Sequence, residues 1–144
     1  MGNKVNVIFL DFDGVFLVFG KPSLMDEANQ KAIENLKKFF EKEKDLKIVI
    51  SSAWRANGIS YCKRFLDGLG LPGDRVVGMT GDERGDRGYQ IQCYLNRHPE
   101  VEKFVIIDDN SDMPTMLDKV VKTNSFIGFT EADVARASEI LANQ

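Results

Sequence analysis

Residues 4–15 read KVNVIFLDFDGV. The run of β-branched and apolar residues from Lys4 to Leu10 predicts a buried strand. It ends in two aspartates, Asp11 and Asp13, one residue apart, with Gly14 behind them. Carboxylates that close repel each other, so the pair calls for a compensating positive charge. A metal ion is the obvious candidate, and its other ligands would come from elsewhere in the chain.

Working outward, strands and helices alternate. Residues 14–25 carry aromatics, Gly and Pro and read as a loop or small hairpin. Asp26 to Lys44 reads as a helix, because Ala28, Ile33, Leu36, Phe39 and Phe40 recur at helical spacing. Leu46 to Ile50 is a second strand. Asn57 to Leu69 is a helix that stops at Gly70-Leu71-Pro72-Gly73. Arg75 to Met79 is a short strand, followed by a polar, Gly-rich stretch and a helix over Tyr89–Asn96. Lys103 to Ile107 is a further strand. Asp112 with Pro114 reads as a helix start. Lys119 to Thr123 is a last strand, and Thr130 to Ala142 a closing helix with Thr130 and Asp133 in capping-box positions. The pattern predicts an α/β fold, a Rossmann-like three-layer sandwich around a central parallel sheet. One domain over residues 1–144 is expected.

Ligands of such sheets bind at the carboxyl ends of the strands. Asp11-Phe12-Asp13 follows the first strand, Ser51-Ser52 the second, and Asp108-Asp109 the strand KFVII. Acidic and hydroxyl residues thus stand where an active site should be. Four aspartates and a serine suit a hard cation with oxygen ligands, and Mg²⁺ is the best match. Such a centre attracts a phosphate dianion. A positive side chain should then share the phosphate charge. Arg87, at a helix start, is well placed, with Arg84 and Arg55 as rivals.

The 144 residues are 43% hydrophobic and 28% charged, with a net charge of −3. That balance argues against a broad nucleic-acid-coating surface, though not against a local basic patch. No apolar run is long enough to span a membrane. No leader is visible before the first strand, so the expected setting is cytoplasmic. The two cysteines, Cys62 and Cys93, lack zinc-ligand spacing and are expected to be reduced thiols.

With these residues in order, the chain resembles the haloacid dehalogenase (HAD) superfamily of phosphohydrolases. Asp11-Phe12-Asp13-Gly14-Val15 looks like its first motif, Ser51 its second, Arg87 its third and Asp108-Asp109 its fourth. The resemblance implies that Asp11 attacks phosphorus and forms an aspartyl-phosphate. Asp13 would protonate the leaving oxygen and later take a proton from water. That role needs Asp13 protonated at the outset, which crowding by acidic neighbours would favour. Ser51 and Arg87 would stabilise the transferring group. The resemblance places the metal on Asp11, the Asp13 carbonyl and Asp108, with Asp109 or Asp112 behind. Ser52, Arg55 and Phe12 are the candidate substrate contacts. The runs Ser51-Ser52-Ala53-Trp54-Arg55, Arg87-Gly88-Tyr89-Gln90-Ile91 and FVIIDDNSDM look like the compact HAD phosphatase domains of RNA-repair proteins. Those are similar in turn to the phosphatase half of polynucleotide kinase-phosphatase.

The short intervals between motifs leave no room for a large cap domain, so the site is expected to be open. It would admit a bulky phosphorylated substrate, such as a DNA or RNA end or a phosphoprotein, or a nucleotide. A catalytically idle phosphate- or nucleic-acid-binding module on the same fold is the alternative from another class. An EF-hand is disfavoured, because its glycine and its twelfth-position glutamate are absent. A phosphoreceiver domain would order its acids differently. Asp112 reads either as a helix cap or as a residue behind the metal. Trp54 reads as packed or as a base-stacking residue, and Phe16 and Phe19 as core or as substrate-facing. His98 reads as a solvated turn residue.

Overall fold

The computed structural model of the chain describes residues 3–110 and 112–144. At its centre lie β1 (Val5–Leu10), β2 (Lys47–Ile50), β3 (Val76–Met79), β4 (Val101–Asp108) and β5 (Val120–Lys122). They form one parallel sheet in the order β3-β2-β1-β4-β5. Helices α1 (Glu27–Lys42), α2 (Ile59–Gly68), α3 (Arg87–Arg97) and α4 (Glu131–Ala142) cover it. This is the α/β three-layer sandwich that the alternation predicts.

Strand side chains point alternately to opposite faces, and here each face has its own core. Ile8, Leu10, Ile48, Ile50, Val105 and Ile107 pack with α1, α2 and α4. Val7, Phe9, Val49 and Ile106 pack with Ile91 and Tyr94 of α3 and with Met113 and Met116. Burial on both sides explains why the strands read as continuous apolar runs. Helix α1 alone buries Ile33, Leu36, Phe39 and Phe40. Each such side chain contributes about 1.5–3 kcal/mol on leaving water.

The strand order places the site. The chain steps outward from β1 to β2 to β3, with α1 and α2 on one face, as right-handed crossovers require. It then returns through α3 on the other face to β4, on the far side of β1. The reversal falls between β1 and β4, and ligands of such sheets bind at that point.

Beyond shifts of one or two residues at the ends of α1 and the strands, three elements differ from expectation. The helix read at Asp112–Pro114 does not form. The connection from β4 to β5 runs through turns and a 3-10 turn, Leu117–Lys119. Side chains divert its backbone: Asp108 Oδ1 accepts the Asn110 N–H, and Asn110 Oδ1 accepts the Asp112 N–H. Such local bonds compete with helix formation. The helix read over 57–69 begins only at Ile59, because Gly58 at φ 92° separates α2 from a preceding 3-10 turn, Ala53–Asn57. Helix α3 starts at Arg87, two residues before the expected Tyr89.

No cap domain occurs among the described residues. The segment from Phe12 to Asp26 makes turns and an isolated bridge between Asp13 and Leu17. No helix among them is long and apolar enough to cross a membrane.

Candidate active site

Backbone pairing continues one residue beyond the inner strands. The Asp11 N–H donates to Ile107 O (3.1 Å), the Ser51 N–H to Leu10 O (3.2 Å) and the Thr80 N–H to Ile50 O (3.0 Å). The alternation that points Leu10, Ile50 and Ile107 to the α1 face therefore turns Asp11, Ser51 and Asp108 to the α3 face. All three are buried.

Asp11, Asp108 and Asp109 can each offer a carboxylate oxygen within 4.8 Å of the others. Arg87, in the first turn of α3, reaches into this group. Its Nη1 lies 2.7 Å from Asp108 Oδ2 and 3.3 Å from Asp11 Oδ1. Asp86 caps the helix, accepting the Tyr89 N–H at 2.8 Å, and so fixes where Arg87 begins. Backbone and side-chain donors hold the acids in turn. The Phe12 N–H donates to Asp11 Oδ1 (2.9 Å) and the Ser125 hydroxyl to Asp109 Oδ2 (2.9 Å).

The electrostatics are unbalanced, with three carboxylates facing one guanidinium. Burial, and next the charge of Asp108, push the Asp11 carboxyl up to about 7, against the pull of Arg87. Burial raises Asp108 as well. Buried charges need partners, and here a hard divalent cation would meet an all-oxygen ligand set. The donor chemistry therefore fits Mg²⁺.

Gly14 makes the approach of Asp109 possible. Its φ is +80°, and a Cβ built there would overlap the Asp109 carboxylate. Glycine alone meets both conditions at little cost. The Gly14 carbonyl is held by the Thr123 hydroxyl at 2.8 Å.

Asp13 stands apart from the buried acids. Its side chain is exposed, and its Oδ2 accepts the Trp54 Nε1–H at 3.1 Å. The acidic crowding expected around it falls on Asp11 instead. Ser51 Oγ is buried with no hydrogen-bond partner among the described residues, and the same holds for Thr80 Oγ1 at the end of the next strand. Thr80 was missed in the sequence, although its place directly after the strand VVGM marks it. Ser52 caps the following 3-10 turn by accepting the Trp54 N–H at 3.1 Å. The Arg55 guanidinium donates to Ser51 O (3.4 Å), Ser52 O (3.1 Å) and Gln90 Oε1 (3.2 Å). It thus ties the loop after β2 to α3. Arg84 is exposed and makes no ion pair among the described residues. Of the three arginines, Arg87 is the one on the acids.

The Phe12 ring is fully buried among Phe16, Trp54 and Phe65, so only its backbone faces the acids. Phe16 is core, whereas Phe19 is 45% exposed. Asp112 is exposed and caps no α-helix. Ser111, within FVIIDDNSDM, lies outside the described residues. His98 pairs with Glu100 at 2.9 Å and stacks on Tyr94, ahead of β4 at the opposite end of the sheet.

Residues 7–134 match the family described as the HAD domain in Swiss Army Knife RNA repair proteins. Neither a curated protein nor a solved structure matches the chain. The match spans β1 through the first turn of α4 and includes every residue of the acidic group, Ser51 and Arg87. The chain therefore belongs to the HAD domain family of Swiss Army Knife RNA repair proteins.

Proposed function

We propose that residues 1–144 form one Mg²⁺-dependent phosphomonoester hydrolase domain. It works through an aspartyl-phosphate on Asp11 and acts on nucleic-acid terminal phosphates or nucleotides. The observation that carries this reading is the group of buried Asp11 and Asp108 and half-buried Asp109 at the sheet's switch point, with Arg87 on two of them. The Ser51 hydroxyl at the end of the next strand, buried without a hydrogen-bond partner among the described residues, adds support. A buried hydroxyl left unpaired costs about 1–3 kcal/mol, and a phosphate oxygen would satisfy it.

Asp11, Asp108 and Asp109, with the Asp13 carbonyl, would hold the Mg²⁺, whose charge keeps the carboxylates ionised and draws in a phosphate dianion. Asp11 attacks the phosphorus, and the bond from phosphorus to the leaving oxygen breaks. Asp13 gives its proton to that oxygen. Water then attacks the phosphorus of the aspartyl-phosphate and passes its proton to Asp13, the bond from phosphorus to the Asp11 oxygen breaks, and inorganic phosphate leaves a free Asp11 carboxylate. The exposed position of Asp13 suits this exchange with leaving group and water. Its bond from the Trp54 indole holds it in place. Ser51 and Arg87 share the charge of the transferring group. Nucleic-acid ends are favoured because the family is described by RNA repair and because no cap domain occurs among the described residues.

The test is phosphate release, with and without Mg²⁺, from an aryl phosphate, free nucleotides, and 3′- and 5′-phosphorylated DNA and RNA oligomers. Release should require Mg²⁺ and be greatest with oligomers or nucleotides. Asp11→Asn, folded by circular dichroism, should lose at least about a thousandfold in rate. No release from any substrate by the folded parent would overturn the reading in favour of a phosphoprotein substrate or an idle binding module.

A further inference from the structure

Beside Asp13 opens a cleft of about 460 Å³. That lies within the usual ~300–1,000 Å³ of small-molecule sites. Leu17, Phe19 and Leu24, from the segment between β1 and α1, line it together with Trp54 and Phe65. The Trp54 and Phe65 rings stack at 4.9 Å and 24°, and Tyr61 stacks beyond them. Asn29, buried at the start of α1, braces the opposite wall. Its Oδ1 accepts the Val18 N–H at 2.7 Å, and its Nδ2 donates to Lys21 O and Ser23 O. The cleft is therefore preformed, which lowers the cost of filling it.

Its position relative to the acids gives it a use. Asp13 lines the cleft, whereas Asp11, Asp108 and Asp109 do not. A group leaving the phosphorus at Asp11 takes its proton from Asp13, so the rest of that group lies alongside this cleft. We infer that the cleft seats the base of the nucleotide whose phosphate meets Asp11. This rests on the phosphatase reading for the neighbouring phosphate. The flat, ring-bearing part of a nucleotide leaving group is its base, and the walls are aromatic and aliphatic. Stacking on such walls is tolerant of base identity, because every base has a π-face. Lys21, exposed and without an ion pair among the described residues, lines the same cleft. It fits the next phosphodiester of a strand. An aromatic peptide side chain would use the walls but leave that ammonium without a partner.

Trp54 is the only tryptophan, so its fluorescence reports on the cleft independently of catalysis. The intact protein would be titrated with adenosine and cytidine, which carry no phosphate, and with ribose as the control. Both nucleosides should quench saturably, and ribose should not. Leu24→Glu should weaken that binding about tenfold, because a charged carboxylate replaces an apolar wall of the cleft. Phe19→Glu, at an exposed position, serves if Leu24→Glu does not fold. The same variants should lower, about tenfold, the ratio of kcat/KM for nucleotides over ribose phosphate. Nucleoside quenching with no phosphate release from any substrate would support the cleft and overturn the phosphatase reading. Phosphate release from nucleotides with no nucleoside quenching would overturn the cleft alone. Quenching by a phosphotyrosine peptide but by neither nucleoside would overturn it in favour of a peptide.

Discussion

Gly14 answers to two neighbours at once. Its backbone sits at φ +80°, and the Asp109 carboxylate occupies the space a Cβ would need. Gly14→Ala should therefore cost about 1–2 kcal/mol from backbone strain, and more from displacing Asp109. Urea unfolding would measure the stability, and calorimetric titration the Mg²⁺ affinity, which should weaken. The two costs separate in a double-mutant cycle. In an Asp109→Ala background the same substitution should cost only the strain. An equal cost in both backgrounds would show that the carboxylate contact carries nothing. The glycine and the acids were legible in the sequence, because residues that follow buried strands are easy to locate. Arg87 was legible as the best placed of three arginines, at a helix start. The choice depends on Asp86 capping α3 and setting its first turn against β1 and β4. The Trp54–Asp13 and Ser125–Asp109 bonds join residues 41 and 16 positions apart, and no local pattern announces them.

At the level of elements, the segment between β1 and α1 has little regular structure of its own and depends on α1 for its shape. Asn29 is 1% exposed, and all three of its hydrogen bonds go to backbone groups of Val18, Lys21 and Ser23. Asn29→Ala should cost roughly 2–3 kcal/mol, because it strands buried backbone groups. Amide exchange should show the Val18 N–H losing protection while the sheet keeps its own. Unchanged protection at Val18 would refute this account of the segment. The helices and strands themselves were largely legible, since two-sided burial gives apolar runs and one-sided burial gives helical spacing. The connection from β4 to β5 was not. Met113 and Met116 are spaced like one face of a helix and are buried, yet the Asp108 and Asn110 side chains take the N–H groups of Asn110 and Asp112 just ahead of them. Competition between a side chain and the helix is settled by geometry, and residue type alone does not reveal it.

For the whole molecule, folding gathers carboxylates that the unfolded chain keeps apart, so stability must vary with pH. In the metal-free protein the Asp11 carboxyl rises from 3.8 to about 7, first through burial and then through Asp108, and Asp108 is itself raised. Asp109 and Arg87 also face Asp11, the one adding to the rise and the other opposing it. A carboxyl with a raised folded pKa makes the native state bind more protons than the unfolded state between the two values. Stability is then greatest toward the acid end of that window and falls as pH rises to about 7. The lowered carboxyls of Glu100 and Asp118 act in the opposite sense, but below their ordinary values of 4.5 and 3.8. They leave the range from pH 5 to 7 to the acidic centre. In EDTA, urea unfolding should show stability declining across that range, and Asp11→Asn should flatten the decline. Mg²⁺ should reverse it. Binding requires the carboxylates ionised, so the cation stabilises more at pH 8 than at pH 5. At a hundred times its dissociation constant it would add about 2.7 kcal/mol. A metal-free stability that rises from pH 5 to 7, or a decline that survives Asp11→Asn, would mean that the buried acids are neutralised by something other than protons and a bound cation.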